Sequence, residues 1–223
     1  ALPFWKNYLK SSHGAPQLSI KRTQGKPSLS LATYRNSLGY DSTKQLNKFA
    51  TQHHLTPAAV FFSGYYAVLA KNMTDTARFV IGTAVSHRGY GNHHNTVGPF
   101  TNFGLIGPDI TLKSSFLNLL EKSQNSLIDA IEHQNIPIDA LLQLLPKTSS
   151  GFPVECLFLY QSSPEKKLSF SEVKATRISE KSSSIPALLC LEVTALENDF
   201  ELAVTYDTGF YEQTCIKSFA ESI

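Results

Sequence analysis

The sequence is poor in cysteine and has no long apolar run. Both features limit the class of protein to which it can belong. Its three cysteines, Cys156, Cys190 and Cys215, stand far apart without a CxxC spacing. This favours reduced thiols in a cytoplasmic protein over a disulfide scaffold or a zinc site. No apolar segment approaches membrane-spanning length, and the N-terminus lacks a charged-then-apolar signal pattern. We therefore expect a soluble, intracellular protein that makes no membrane contact.

An excess of charge of one sign is also missing. The 20 basic and 18 acidic residues leave a formal net charge of +2 and are scattered along the chain, so no basic stripe could neutralise a row of phosphates. We therefore expect no nucleic-acid partner. The 223 residues, 42% of them hydrophobic, suffice for one substantial core or two small ones. The chain begins without methionine inside a helix-like pattern, which suggests a piece of a longer protein.

The first third of the chain predicts helices on either side of a strand. Residues 3–10 have a short helical pattern, and residues 29–38 have a β pattern. Asp41-Ser42 can cap a following helix. Thr56-Pro57 is a clearer helix start. The Thr56 hydroxyl can cap the helix, and Pro57 suits the first helical position because no N–H group is needed there. The helix after Pro57 is apolar on both sides and is therefore expected to be well buried.

The rest of the chain predicts further strands and one long helix. Residues 78–86 are apolar and rich in β-branched residues, which is typical of an interior strand, and 154–162 form a second apolar run. The Ser114-Ser115 pair can cap a helix. The predicted buried face of that helix consists of Phe116, Leu120, Leu127 and Ile131.

The C-terminal third alternates in a way that predicts an antiparallel end of a sheet. The segments LLCLEVTAL and DFELAVTYD meet at Glu197-Asn198 and alternate like a hairpin with one buried face. The polar segment 164–186, with a β pattern around 173–178, is expected to form an excursion. Helices and strands in this mixed order predict an α/β (α+β) two-layer sandwich with a mixed sheet flanked by helices.

Two histidine pairs, His53-His54 and His93-His94, are the first candidates for chemistry. Adjacent residues point about 100° apart on a helix and to opposite faces on a strand, so neither pair can easily hold one metal ion. No Asp, Glu or Cys stands at a ligand spacing around them. We therefore interpret them as solvated surface residues and expect no metal site in the chain.

Other catalytic patterns are absent from the sequence. There is no GxSxG nucleophile elbow, and Ser63-Gly64 lies within an apolar helical pattern. Gly89, Gly91 and Gly98 follow a strand but do not open a helix, as phosphate-binding glycine loops do. The residues alone thus predict an α/β domain with one unusual loop, SHRGYGNHHNTVGPFTNF at 86–103.

The order of several motifs resembles the C-terminal half of a nonribosomal peptide synthetase condensation domain. That family has a Val-Gly-x-Phe-Val-Asn-Thr motif where this chain has VGPFTNF, and a His-Gln-x-x-Pro motif where it has HQNIP. Each motif is weak alone, but six in the right order are specific. The matching segments are FW..YL at 4–9, LTPAAVFFSGYYAVLAK at 55–71, RFVIGTAVSHR at 78–88, VGPFTNF at 97–103, HQNIPIDALLQLL at 133–145 and FPVECLFLYQ at 152–161.

The resemblance implies a fold and a reaction, and it indicates that the family's catalytic motif is missing from this chain. It implies a chloramphenicol acetyltransferase-like half-domain over residues 1–223, the C-terminal one of two similar subdomains. The family's catalytic motif, HHxxxDG, lies in the N-terminal subdomain, and neither histidine pair here is followed by Asp-Gly. The parent would form an amide bond between a donor acyl or peptidyl thioester and an acceptor aminoacyl thioester. The chain alone is therefore expected to be inactive.

The resemblance also implies partners and a site. Its partners would be the N-terminal subdomain, adjacent synthetase domains, and donor and acceptor peptidyl carrier proteins, whose phosphopantetheine arms enter a tunnel; no cofactor would be bound directly. The loop after residue 86 would bridge the subdomains below the tunnel, and 164–186 could form a second bridge. The residues assigned to this tunnel and bridging loop are Thr83, Ser86, Arg88, Gly98 and Asn102.

Each assignment has a structural alternative. The resemblance implies that Arg88 anchors the loop by bonding carbonyl groups, and a purely structural role has equal weight. Gly98 could serve a turn with unusual backbone angles, and His133-Gln134 could make only helix-end hydrogen bonds. Thr101 and Phe103-Gly104 depart from the family motif, so the motif leaves the substrate undefined.

The function itself also has alternatives. The rivals are another carrier- or coenzyme-A-dependent acyltransferase of the same fold, and a noncatalytic module that docks a carrier protein. Condensation and heterocyclisation subtypes both stay open, because the acidic motif that separates them lies upstream.

Overall fold

The fold combines helices with the strands of one sheet. In the computed structural model of the chain, the described residues are 1–10, 18, 30–73, 78–86, 88, 96–110, 114–145, 154–162 and 187–223. The helices are α1 (Leu2–Tyr8), α2 (Tyr40–Gln52), α3 (Pro57–Lys71), α4 (Phe116–Glu132), α5 (Ile138–Leu142) and α6 (Gln213–Glu221). The strands are β1 (Leu31–Ser37), β2 (Ile81–Ser86), β3 (Thr101–Ile106), β4 (Cys156–Gln161), β5 (Leu189–Ala195) and β6 (Phe200–Asp207).

The strands form one mixed six-stranded sheet in the order β1-β6-β5-β4-β2-β3. β2, β4 and β5 run parallel to one another, whereas β1, β6 and β3 pair with their neighbours in antiparallel fashion. The predicted hairpin is confirmed as β5 and β6, which pair from Leu189↔Tyr206 to Ala195↔Phe200. The mixed sheet with flanking helices confirms the predicted α/β class.

The core lies between one face of the sheet and the helices. Phe158 of β4 is fully buried, and its ring lies 5.5 Å from that of Phe62 and 6.4 Å from that of Tyr65, both on α3. Helix α3 is buried on both sides, as its sequence predicts. On the same face of the sheet, α4 packs so close to β3 that a Cβ atom at Gly104 would lie 3.1 Å from Cβ of Ala130.

Two of the predicted helix starts are confirmed, and a third is wrong. The side chains of Thr56 and Ser115 accept hydrogen bonds from the amides of Ala59 and Asn118, as N-caps do. Helix α2 instead begins after Gly39, which has a φ of 81° and no side chain to cap with. The Asp199 carboxylate compensates by accepting a hydrogen bond from the Gly39 amide at 2.8 Å.

The predicted buried face of α4 is partly wrong. Leu120 is buried and Leu127 packs against the core, but Phe116 and Ile131 are 54% and 55% exposed. The buried side instead carries Leu119, Leu120, Ser123, Ser126 and Ala130. The apolar periodicity predicted the wrong face because two residues of the buried side, Ser123 and Ser126, are polar.

Several other predictions concern the cysteines, membrane spans and the loops. All three cysteines are free, and Cys156 and Cys190 are buried. Among the helices of the described ranges, none is both long and apolar enough to cross a membrane. The predicted excursion at 164–186, His93-His94 and the glycines at 89 and 91 lie outside the described residues.

Candidate functional site

The predicted site lies where β2 and β3 end side by side. Ser86 closes β2 and pairs with Thr101 at the start of β3, and both residues are exposed. The Arg88 amide donates a hydrogen bond to the Ser86 carbonyl at 2.7 Å, so the chain turns directly after the strand. Pairing of the two strands thus brings both ends of the predicted bridging loop together.

Arg88 fastens this loop at two points. Its Nη1 donates a hydrogen bond to the carbonyl of Thr96 at 2.9 Å, and its guanidinium carbon lies 4.3 Å from the centroid of the Phe100 ring. A guanidinium over an aromatic face is attracted by the electron-rich ring. Both of these contacts stay within the loop and agree with the anchoring by carbonyl groups that the resemblance implies for Arg88.

Gly98 is favoured by its tight packing against Phe100 and not by its backbone angle. Among the described residues, Gly39 is the one glycine with a positive φ, so the unusual angle expected at Gly98 is wrong. A Cβ atom at Gly98 would lie 3.1 Å from the Phe100 ring, and the Phe100 amide donates a hydrogen bond to the Gly98 carbonyl at 3.0 Å. The glycine allows the ring that receives Arg88 to fold back over the chain.

Asn102 connects β3 to the segment between α4 and α5. Its Nδ2 donates hydrogen bonds to the carbonyls of Gln134 and Ile136, at 2.9 and 2.8 Å. One amide group thus joins the VGPFTNF and HQNIP motifs, which are distant in sequence. Asn102 therefore holds the His-Gln segment, in addition to closing the predicted bridging loop.

Thr83 does not share a surface with Ser86. Neighbouring side chains of a strand alternate between faces, and Thr83 pairs with Phe158 on the face that the helices cover. Thr83 is 5% exposed, whereas Ser86 is exposed on the opposite face. That opposite face also presents Ala84 and its partner Phe103, which the sequence analysis missed although strand alternation could have indicated them.

The five predicted residues offer positioning groups and no acid–base pair. They supply two hydroxyls, an amide, a guanidinium and a glycine, and proton transfer at neutral pH needs a group such as histidine or a carboxylate near the reacting atoms. His53 and His54 are exposed at the end of α2, as predicted. Burial raises the pKa of the Cys190 thiol to about 12, so this thiol is a poor nucleophile at neutral pH.

Solved structures with the same fold are found among condensation domains and their relatives. The X-domain from teicoplanin biosynthesis superimposes with a TM-score of 0.84 at 16% identity, over 99% of this chain and 51% of that one. The condensation domain from monacolin K polyketide synthase MokA superimposes with a TM-score of 0.79 at 18% identity, over 99% of this chain and 55% of that one. The fold is therefore one that condensation-type domains contain, and the chain covers about half of each of these two structures.

The sequence comparison extends from the fold to the family. The model of the family described as Condensation domain matches residues 1–223, and the chain belongs to that family. It is 27% identical to surfactin synthase subunit 1 of Bacillus subtilis (strain 168) over 175 residues, 76% of this chain and 5% of that protein. It is 24% identical to gramicidin S synthase 2 of Brevibacillus brevis over 187 residues, 82% of this chain and 4% of that protein. The chain thus spans a small fraction of these synthetases.

Proposed function

We propose that the chain is the C-terminal subdomain of a nonribosomal peptide synthetase condensation domain. Its parent joins a donor acyl or peptidyl thioester to the amine of an acceptor aminoacyl thioester, both carried on phosphopantetheine arms of carrier proteins. The observation that carries the proposal is the junction of two family motifs through Asn102. The coverage of about half of the related X-domain chain, 51%, agrees with one subdomain of two.

In this proposal the chain positions substrates but does not transfer protons. The sequence contains no HHxxxDG motif, so the catalytic histidine must come from an upstream subdomain. Ser86, exposed at the end of β2, and Gly98 would face the arm that enters the tunnel, and Arg88 would keep the loop between them closed. Thr83, buried under the helices, would support the strand without touching the arm.

The proposed partners follow from this separation of substrate positioning from proton transfer. An upstream subdomain completes the active site, two carrier proteins deliver the thioesters, and further synthetase domains flank the chain. The chain binds no cofactor itself, because the phosphopantetheine arms belong to the carriers. The free cysteines agree with work in the reducing cytoplasm.

A noncatalytic docking module is the second candidate. One structural neighbour is the X-domain in a complex with OxyB from teicoplanin biosynthesis, with a TM-score of 0.83 and 17% identity over 99% of this chain. The fold is thus also found in a domain that forms a complex with another protein. An acyltransferase with a diffusible acceptor is the third candidate.

Reconstitution separates the three candidates. The native upstream subdomain is joined to the chain and mixed with an acyl-loaded donor carrier and an aminoacyl-loaded acceptor carrier, and mass spectrometry follows the acceptor. A condensation domain yields the elongated thioester on the acceptor carrier, and replacing the second histidine of the upstream motif with alanine abolishes it. Product only with free amines supports the diffusible-acceptor acyltransferase. Carrier binding without any product supports docking and refutes the condensation proposal.

A further inference from the structure

Three metal-binding side chains meet at the last turn of α4. A carboxylate oxygen of Asp129, a carboxylate oxygen of Glu132 and a ring nitrogen of His133 all lie within 4.8 Å of one another. Asp129 stands three residues before Glu132 and four before His133, and residues at these spacings are neighbours on a helix surface. Glu132 and His133 are adjacent, and a helix turns by about 100° between them, yet their ligand atoms lie within the same 4.8 Å. Asp129 and His133 are half-buried and Glu132 is exposed, so an ion could reach the group from solvent.

The imidazole of His133 is held in place by α1. Its ring stacks on Phe4 with 3.7 Å between centroids and 25° between planes. The His133 carbonyl accepts a hydrogen bond from Nε1 of Trp5 at 3.0 Å, and the His133 amide donates to the Asp129 carbonyl at 2.9 Å. Stacking covers a ring face and leaves the in-plane nitrogens at the edge, so less freedom is lost when a ligand binds.

A polar cleft lies beside Asp129, and neither Glu132 nor His133 lines it. The cleft, about 410 Å³ in volume, runs between α1 and α4 and reaches Asp129. The charged side chains facing the cleft are Arg78, Asp109, Lys122 and Asp129. Lys122 bonds the carbonyl of Asp109, and Arg78 bonds those of Tyr8 and Gly107.

We propose that Asp129, Glu132 and His133 bind a divalent first-row transition metal ion such as Zn²⁺, with water in the remaining positions. Two carboxylates balance the charge of the ion, and an imidazole favours Zn²⁺, Co²⁺ or Ni²⁺ over Mg²⁺ and Ca²⁺, which prefer oxygen ligands alone. The ion fixes the imidazole that stacks on Phe4 of α1 and has no part in the transfer reaction. The site does not depend on the proposed function.

Trp5 provides a local measurement of binding, because it is the chain's single tryptophan and contacts His133 directly. Titration with Co²⁺ is expected to quench Trp5 fluorescence to saturation, Zn²⁺ to compete with it, and Mg²⁺ at the same concentrations to leave it unchanged. His133→Gln is expected to weaken Co²⁺ binding at least about tenfold, since even the groups that orient metal ligands affect affinity that strongly. Zn²⁺ should also raise the melting temperature of the native chain.

His53→Gln is the matched control. His53 also caps the C-terminus of a helix and contacts a phenylalanine ring, Phe49, at 4.5 Å, but it belongs to no ligand group in the described part of the chain. This variant should keep native affinity. The proposal is overturned if quenching does not saturate, if Mg²⁺ competes equally, or if the His53 and His133 variants respond alike. Should His133→Gln fail to fold, unchanged affinity in Glu132→Gln, whose side chain is exposed, overturns it equally.

Discussion

The hydroxyl group of Tyr8 on α1 lies 2.7 Å from Oγ of Ser126 on α4. Between them stands Gly107, whose amide donates hydrogen bonds to both oxygens, at 3.0 and 2.9 Å. Arg78 adds a bond from Nη2 to the Gly107 carbonyl at 2.9 Å and lies over the Tyr8 ring. A polar network therefore fixes the first helix of the chain to the end of β3.

Tyr8→Phe should destabilise the protein by about 1–3 kcal/mol, because Gly107 and the Ser126 hydroxyl lose a hydrogen-bond partner. Chemical denaturation monitored by circular dichroism measures the change in the free energy of unfolding. Tyr40→Phe is the control, since Tyr40 is 60% exposed and surface changes usually stay within about 0.5 kcal/mol. Equal losses in the two variants would contradict the network's contribution.

Asn102→Ala should loosen the segment between α4 and α5. The carbonyls of Gln134 and Ile136 would lose their shared donor, at a cost of roughly 1–3 kcal/mol. Hydrogen exchange followed by mass spectrometry should show faster exchange in peptides covering 133–142 and little change in β6. Asn36→Ala, on the exposed edge strand β1, is the control and should leave 133–142 unchanged; a uniform increase across the chain would instead indicate global destabilisation.

The Asp199 carboxylate should make the stability of the protein depend on pH in the acidic range. A hydrogen bond from the Ser37 hydroxyl, at 2.5 Å, and bonds from the amides of Gly39 and Phe200 hold the pKa of Asp199 below its usual value. A depressed pKa in the folded state stabilises the protein at neutral pH, and this contribution is lost as the pH falls through the folded pKa.

Asp199→Asn removes that titration. Its free energy of unfolding should be lower than that of the native chain at pH 7, and the difference should shrink below pH of about 4. Asp41→Asn, in the first turn of the same helix α2, is the control and should retain the native acid dependence. A difference between native and Asp199→Asn protein that stays constant with pH would rule out the carboxylate contribution.

A bulky residue at Ser86 or Gly98 should block turnover in the reconstituted condensation domain. Ser86→Trp adds volume at an exposed position, so folding should remain cooperative while the rate of product formation falls by at least about tenfold, a barrier increase of roughly 1.4 kcal/mol. Gly98→Trp should also displace Phe100. Thr33→Trp, exposed on β1 at the opposite edge of the sheet, is the control. Unchanged turnover in both variants would show that neither position lines the tunnel.

Cys215 should be the one cysteine that reacts in the native protein. Cys156 and Cys190 are buried, and Cys215 is partly exposed on α6. Burial also raises the pKa of Cys190 to about 12, which keeps it protonated at pH 8. Iodoacetamide followed by intact-mass measurement should therefore add one group to native protein and three to denatured protein. Rapid addition of two or three groups to native protein would mean that the core opens readily.

The sequence predicted helices and strands well where residues close to one another in the chain determine them. Thr56-Pro57 and Ser115 specify helix starts within three residues, and the alternation of β5 and β6 specifies their pairing. The start of α2 could not be predicted, because its capping group, Asp199, lies 160 residues from Gly39. The buried face of α4 was misplaced because Ser126 is buried for its hydrogen bonds to Tyr8 and Gly107.

The candidate site was predictable in part for the same reason. Motif order indicated Ser86, Arg88, Gly98 and Asn102, and the structure brings the first three to one end of the β2–β3 pair. The partners of Asn102 lie 32 and 34 residues away, and only the folded chain shows that they meet. Thr83 was assigned with Ser86 as a small residue that would leave room for the arm, although strand alternation turns their side chains to opposite faces.

The position of β1 in the sheet has a consequence for biosynthesis. β1 borders only β6 in the described sheet, and their side-chain contact between Thr33 and Thr205 joins residues 172 positions apart. At a synthesis rate of about 5–20 residues per second, β1 waits roughly 10–35 s on the ribosome before its partner emerges. Domains with non-local pairing of this kind fold in roughly milliseconds to seconds, which is shorter than this wait. Completion of this sheet is therefore limited by translation, and ribosome stalling between β1 and β6 would leave an unpaired strand open to aggregation.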